Sequence, residues 1–532
     1  MSKKTARRRR KNFTQDTLSR KESFKYKLIA EGIGVGFLAG LIVSLFRLSL
    51  TKAENVRDLF LDAAGQKLIV ALLGVGILIF IAVCVSAVVI REPLSSGSGI
   101  PQVKGELNGE INANWVQVII AKFIGGVLAI GGGLSLGREG PSIQIGAMVG
   151  KGFSRINNRL RTEEKLLMTC GSGAGLAAAF GAPLAGVVFA LEELHKNFSQ
   201  EVLLSTMASA ITADCIGSYI FGLEPVFNFE INVDEGLPLS RMWMVIVLGL
   251  ILGAFGVLFN KTVLFVQNCF KRIKLKWIRV FVPFSTVLIL AIWLPEALGS
   301  GHKLIGLAGE GGMTVKVLLT LLAVKYVFSI ISFGSGVPGG IFLPLLVIGA
   351  LTGGIFTGAI SSLAGYKQDY LQYFVILGMT GYFSAIVRAP ITGVILISEM
   401  TGTFSNLLSL STVALTAYMT ADLLKGRPIY DELTERLVAH GKVRKPRASN
   451  KVLVEGEIHY GAYMDSKPLS AIMLPQGCLV VSIQRGGREI VPSGDTVLSG
   501  GDKLVLLCDE GIAPEVHKEL DKKCKSVFKS NL

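Results

Sequence analysis

Residues 122–147 read KFIGGVLAIGGGLSLGREGPSIQIGA, and residues 325–350 read KYVFSIISFGSGVPGGIFLPLLVIGA. They align without a gap at an offset of 203, pairing Lys122 with Lys325, Gly131 with Gly334, Gly137 with Gly340 and Pro141 with Pro344. A second match, at an offset of 207, sets Ala182-Pro183-Leu184-Ala185-Gly186-Val187 against Ala389-Pro390-Ile391-Thr392-Gly393-Val394, and Glu192 against Glu399. Two blocks that agree at nearly one offset argue for duplicated halves. Duplicated apolar halves with interrupted helices in corresponding positions point to a transporter whose substrate site lies at the repeat interface, near the bilayer midplane.

The rest of the chain fits that reading. Half of its 532 residues are apolar, 17% are charged, 62 are glycine, and the mean hydropathy is +0.54, outside the range of ordinary soluble enzymes. Leu68–Ile90, Met242–Phe259 and Val280–Leu294 approach the ~20 residues that span a hydrocarbon core. Ala129–Ile145 and Ile331–Ile348 are broken by Gly and Pro, which is tolerated at membrane depth where the segment is buried in protein or lines a cavity. The net charge of +15 is not a nucleic-acid signature, because the basic residues cluster at two edges. Lys3, Lys4, Arg7–Arg10 and Lys11 precede the first apolar run, and Lys442, Arg444, Lys445, Arg447 and Lys451 follow the last, so both termini are expected on the cytoplasmic side. The seven cysteines show no metal or disulfide spacing, and no nucleophile–base pair or phosphate loop indicates an enzyme. No metal and no cofactor is expected.

Three segments share one design. Gly97-Ser98-Gly99-Ile100-Pro101, Gly137-Arg138-Glu139-Gly140-Pro141 and Gly339-Gly340-Ile341-Phe342-Leu343-Pro344 each place small residues before a proline. Glycine permits close backbone approach, and proline suits the first turn of a helix, where its missing N–H costs nothing. Each segment therefore reads as a helix N-terminus, whose unpaired amides and dipole favour an anion without a full positive charge. A neutral cage of this kind holds a halide weakly enough to release it. Glu139 lies in an apolar stretch, and an intramembrane carboxylate is a functional candidate by default.

In their order and separation these three motifs, followed by Tyr430, resemble the CLC family of chloride channels and chloride/proton exchangers, over about residues 27–440. The resemblance implies an all-α polytopic fold of two inverted-topology repeats with many broken helices, and a homodimer with one pore per subunit in the plasma membrane. It implies that the hydroxyls of Ser98 and Tyr430 and the amides of Ile341 and Phe342 bind chloride, and that Glu139 is the gate and the external proton site. Glu193 falls where exchangers carry the internal proton-transfer glutamate, which favours antiport over a passive channel on the same scaffold. Glu399 is assigned a structural or pore-lining role. Serine at position 98 and the intact motifs favour chloride over nitrate or fluoride.

After Lys451 the pattern changes to alternating polar and apolar residues. Leu479–Ile483 reads as a strand, Gly486-Gly487 as a turn, Glu489-Ile490-Val491 as the partner strand, and a second hairpin-like run follows. The combination I-V-P-x-G-D-T then G-D-x-L-x-L resembles the C-terminal ligand-binding module of RCK proteins, also called TrkA-C, a small α+β cytoplasmic domain. That resemblance implies pairing of the tails and cyclic di-AMP as a regulatory ligand; by their position around the Val481–Pro492 hairpin, Arg485, Val481, Ile490 and Pro492 are the candidate contacts. The expected organisation is a basic segment 1–26, a membrane domain 27–440, a basic linker 441–451 and a regulatory domain 452–532. A cation transporter, suggested only by the tail, lacks the T-V-G-Y-G filter.

Overall fold

The computed structural model describes residues 3–64, 68–196, 198–227, 229, 237–364, 370–440, 451–486, 488–509 and 512–525, with side chains from Lys25 onward except those of Ala64, Leu68, Lys276, Leu363, Ala364, His440 and Lys451. The linker expected at 441–451, apart from Lys451, and the turn residue Gly487 lie outside the described residues. The chain divides into two compact units, Met1–Lys104 with Ala113–Glu435, and Gly105–Asn112 with Arg436–Leu532.

Up to His440 the described chain is built of helices in two halves. Its first half holds α1 (Lys3–Ala64), α2 (Leu68–Arg91), α3 (Ile100–Leu107), α4 (Trp115–Gly131), α5 (Glu139–Ile156), α6 (Arg161–Phe180), α7 (Pro183–Phe189) and α8 (Gln200–Phe221). Its second half holds α9 (Met242–Arg272), α10 (Lys276–Trp293), α11 (His302–Glu310), α12 (Val315–Gly334), α13 (Phe342–Ala364), α14 (Leu371–Val387), α15 (Pro390–Thr401) and α16 (Leu407–Leu423), followed by α17 (Ile429–His440). Six helices among the described residues are long and apolar enough to cross a membrane. The two runs expected to break do so: α4 stops at Gly131 and α5 starts at Glu139, while α12 stops at Gly334 and α13 starts at Phe342.

The two halves are built from matching contacts. Asn114 caps α4 by accepting from Val116 N at 3.1 Å, and Thr314 caps α12 by accepting from Val317 N at 3.4 Å. At Gly146 and Gly150 on α5 a methyl group would strike the carbonyls of Gly171 and Leu167 on α6; Gly349 and Gly353 on α13 meet Gly378 and Phe374 on α14 in the same way. Helices approach this closely only through small residues, which is how membrane helices pack without a hydrophobic driving force between them. The repeats also cap each other. Glu192 accepts from Thr392 N at 2.8 Å and Thr392 Oγ1 at 2.7 Å at the start of α15, and Glu399 accepts from Leu184 N at 3.0 Å and Ala185 N at 2.7 Å at the start of α7. Both short helices begin with a proline and lack a cap of their own, so a carboxylate from the other half fills the orphan amides. The structural role expected for Glu399 is this cap, and Glu192 mirrors it.

The second unit carries a four-stranded antiparallel sheet in the order β1-β4-β2-β3 (β1 Lys451–Glu457, β2 Cys478–Arg485, β3 Arg488–Ile490, β4 Lys503–Asp509) with α18 (Ala513–Lys525). The expected hairpin is present: Ile483 pairs with Ile490 and Arg485 with Arg488, with Gly486 at φ +53° in the turn. The second hairpin-like run is not one. Lys503–Asp509 is the central strand, between β1 and β2, and Val497 makes only an isolated bridge to Pro468. Period-2 patterning gives a strand but not its neighbour; Leu504 and Leu506 of this strand share one buried core with Val516 and Leu520 of α18.

Candidate anion and proton site

The loops before α3, α5 and α13 are laced together by their backbones. Gly137 N donates to Gly340 O at 2.6 Å and Gly340 N returns a bond to Gly137 O at 2.8 Å, so two repeat-equivalent residues form a reciprocal bridge. Gly97 N donates to Val337 O at 3.2 Å, Gly339 N donates to Gly97 O at 3.0 Å, and Ser96 Oγ donates to Gly336 O at 2.6 Å. The buried Lys122 ammonium donates to Ser95 O at 2.9 Å and Gly97 O at 2.6 Å, and its repeat partner Lys325 donates to Ala297 O at 3.0 Å and Gly299 O at 2.7 Å. An ammonium at full burial is expensive unless its protons are taken up, and carbonyls freed by a broken helix supply the acceptors. Gly97 and Gly99, at φ +64° and +99°, flank Ser98 in left-handed conformations that point its side chain inward from the start of α3.

Ser98, Glu139, Ile341, Phe342 and Tyr430 are all buried, at 2%, 0%, 0%, 0% and 0% exposure. The hydroxyls of Ser98 and Tyr430 face each other, yet neither has a hydrogen bond of good geometry. The Glu139 carboxylate lies beside its own amide and that of Leu343 at the start of α13, and neither oxygen makes a full hydrogen bond. Buried polar atoms are nearly always satisfied, so three such groups converging on helix N-termini mark a place shaped for a small polar or charged guest. The wall beside it is aromatic: Phe342 packs against Phe383, Phe180 and Phe189 at centroid distances of 4.7, 5.6 and 6.3 Å. The donors are amides and hydroxyls, with Arg138 next in sequence to Glu139, which suits an anion rather than a cation.

Glu193 stands on a single π-helical turn, Ala190–His195, that continues α7. Its Oε1 accepts from Lys104 Nζ at 2.8 Å, and both side chains are 6% exposed. Lys104 also pairs with Asp431 Oδ1, and Lys196 lies 3.4 Å from Asp431 Oδ2. The residue before Asp431 is Tyr430, so this ion-paired cluster runs from Glu193 to the chain segment that carries the inner hydroxyl. Sequence reading missed Lys104 and Asp431. The pairing of Lys104 with Glu193 spans 89 residues, beyond any helical spacing rule, and the only local signal was a lysine one turn into the helix that follows Ser98.

In the tail, Arg485 Nε and Nη2 donate to the two oxygens of Asp502 at 2.7 Å each, and Nη2 also donates to Val497 O at 2.7 Å. Burial pushes the Asp502 carboxyl up, but the Arg485 hydrogen bonds, the Ser499 amide and the Arg485 charge together hold it below the ordinary aspartate value. Val481 occupies the bulge between Val480 and Ser482 in β2, while Ile490 and Pro492 lie, half-buried, at and just beyond the end of β3.

Architecture and site together define a polytopic membrane transport protein of two related halves, with buried, unpaired hydroxyls and a carboxylate gathered where broken helices begin. A model of the voltage gated chloride channel family matches residues 78–422, and a TrkA-C domain model matches residues 453–521. The H+/Cl− exchange transporter ClcA of Vibrio campbellii is 34% identical over 424 residues, covering 77% of this chain and 90% of that protein. ClcA of Klebsiella pneumoniae (strain 342) is 34% identical over 420 residues, covering 76% and 88%. Among solved structures, a slow cyanobacterial Cl−/H+ antiporter superposes with a TM-score of 0.74 at 29% identity over 78% of this chain and 98% of that one. A eukaryotic CLC transporter, at 21% identity and a TM-score of 0.65, shares the fold. The chain belongs to the CLC family of chloride channels and transporters and carries a C-terminal TrkA-C domain.

Proposed function

We propose that this protein exchanges chloride for protons across the plasma membrane as a homodimer with one pore per subunit. The observation that carries the reading is the convergence of the Ser98 and Tyr430 hydroxyls, both buried and unsatisfied, with the α13 N-terminus and the Glu139 carboxylate. Chloride is held by Ser98, Tyr430 and the amides of Ile341 and Phe342, all neutral donors, so that binding is weak enough for turnover. Glu139 is the gate and external proton site: as a carboxylate it competes with chloride for the same donors, and once protonated it loses that attraction and withdraws. Glu193 transfers the proton on the internal side. Its ionisable side chain, and the naming of the Vibrio and Klebsiella relatives as H+/Cl− exchange transporters, favour exchange over passive conduction.

The basic residues at 1–26 and 441–451 keep both termini in the cytoplasm, residues 27–440 form the membrane domain, and residues 452–532 form a regulatory domain. Cyclic di-AMP is the ligand assigned to that domain, between paired tails, with Arg485, Val481, Ile490 and Pro492 as contacts. No cofactor takes part, and no covalent chemistry is assigned to the chain. Paired chloride and proton fluxes in proteoliposomes test the reading. Glu193→Ala is expected to abolish proton movement while chloride still flows, and Glu139→Ala is expected to give chloride flow that is uncoupled and insensitive to pH. Proton transport that persists in both variants overturns it, and isothermal titration without a cyclic di-AMP signal removes the assigned ligand.

A further inference from the structure

Lys104 carries no role in the exchange cycle just described, yet it is the residue to which the cycle's internal carboxylate is bound. It stands on α3, one turn after the loop that presents Ser98, and its ammonium is shared between Glu193 Oε1 at 2.8 Å and Asp431 Oδ1. Asp431 adjoins Tyr430 at the start of α17, where Thr434 Oγ1 donates to Tyr430 O at 2.7 Å and lies 3.4 Å from Pro101 O of α3. One buried cation thus holds the proton-carrying carboxylate and both backbone segments that bear the anion-site hydroxyls. The titratable and charged groups that face Glu193 are Lys104 from α3, Asp431 and Tyr430 from α17 and Lys196 just beyond its own turn. Two carboxylates and two ammoniums make the cluster neutral. His195 on the same turn is engaged with Thr169 Oγ1 at 3.1 Å.

A buried ion pair is poor evidence for stability, because desolvation consumes most of the Coulombic gain; its best-attested use is to fix one arrangement among alternatives. The single π-helical turn under Glu193 is the kind of backbone found at functional sites rather than in inert helix. A carboxylate that takes up a proton stops attracting an ammonium, and an ammonium at this burial must then find its charge elsewhere. The alternative is already in place at Asp431.

We propose that Lys104 is the positioning residue that couples Glu193 to the anion site. In its ionised state Glu193 shares Lys104 with Asp431, which keeps α3 and α17, and with them Ser98 and Tyr430, in the chloride-holding arrangement. On protonation of Glu193 the ammonium passes to Asp431 alone, and the two hydroxyl-bearing segments are released from the carboxylate. Proton occupancy is thereby read at the anion site through one side chain, without direct contact between the proton and the chloride. This inference rests on the exchange reading above.

The test uses the full-length protein in proteoliposomes, with chloride and proton flux recorded together. Lys104→Met is expected to lower the proton-to-chloride ratio about tenfold, a coupling loss of about 1.4 kcal/mol, while chloride still flows. Lys104→Arg keeps the cation and restores most of the ratio. In a Glu193→Gln background, Lys104→Met produces no further change in chloride flux, because residues of one network are not additive. A Lys104→Met protein with the wild-type ratio, or one that loses both fluxes in parallel whether or not Glu193 is present, overturns the proposal. Should Lys104→Met fail to fold, Asp431→Asn carries the test: it leaves the Lys104–Glu193 pair in place and is expected to lower the ratio about threefold, and an unchanged ratio overturns the coupling. A wild-type protein that moves no protons would instead sink the exchange reading itself.

Discussion

Tyr430→Phe isolates one hydroxyl from everything else the residue does. The ring is fully buried and stays so in the variant, and the hydroxyl makes no hydrogen bond to protein that would be lost. Removing it therefore spares the fold: a buried hydroxyl without a partner costs about 1–3 kcal/mol of desolvation, so the chloride-free variant should melt at or slightly above the wild-type temperature. Chloride binding should suffer, because a hydrogen bond to an ion is worth about 1.5–3 kcal/mol. Rearrangement of Ser98 toward the anion recovers part of this, leaving about 1.4 kcal/mol, or a tenfold rise in Kd. Calorimetric titration of chloride into detergent-solubilised wild type and Tyr430→Phe, with melting curves in chloride-free buffer, reads both quantities. An unchanged Kd would refute the placement of the hydroxyl at the anion. A weaker Kd accompanied by a lower chloride-free melting temperature would assign the loss to packing instead.

Three further outcomes follow from the geometry. Glu192→Ala strips three hydrogen bonds from the start of α15 and should cost about 2 kcal/mol, seen as a lower melting temperature, with Glu399→Ala behaving alike at α7. Arg388 holds a left-handed φ of +68° where its repeat partner is Gly181 at +65°, while its guanidinium donates to Tyr418 O at 2.7 Å and Gly426 O at 2.9 Å. Arg388→Gly should relieve about 1 kcal/mol of backbone strain but lose two charge-assisted bonds worth about 1.5 kcal/mol each, so it is net destabilising in thermal unfolding. In the tail, the depressed Asp502 carboxyl contributes stability that is present above the unfolded-state value near 3.9 and disappears as pH falls through the lower folded value. Asp502→Asn should thus lower tail stability at pH 7 and flatten its decline in acid, measured by urea unfolding of the full-length protein with a tail-specific probe; equal acid sensitivity in both would contradict this.

Local geometry was legible where the chemistry was local. The G-S-G-I-P, G-R-E-G-P and G-G-I-F-L-P segments announced broken helices, and the structure starts α3, α5 and α13 at Ile100, Glu139 and Phe342. The repeat offset gave the pairing of the two halves, visible as the bridge between Gly137 and Gly340. Cross-chain partners were not legible. Lys122 and Lys325 matched in sequence, but that each gathers two carbonyls of a broken segment depends on distances the alignment does not carry. Glu192 matched Glu399 in the repeat, but that it caps a helix about 200 residues away is carried by no local pattern. Lys104 and Asp431 were missed for the same reason: neither belongs to a motif, and their meaning lies in meeting Glu193. In the tail, alternation identified β2 and β3, while the place of β4 between β1 and β2 rests on pairings with strands well separated along the chain, which no local pattern carries.

The most direct measurement of the central claim is uphill proton movement in proteoliposomes of the wild-type protein. With a chloride gradient imposed and no proton gradient, exchange predicts that protons are driven across the membrane against the chloride flow, and that the pH change reverses sign when the chloride gradient is reversed. Chloride flux with no accompanying pH change in either direction would contradict it and leave a passive anion pore.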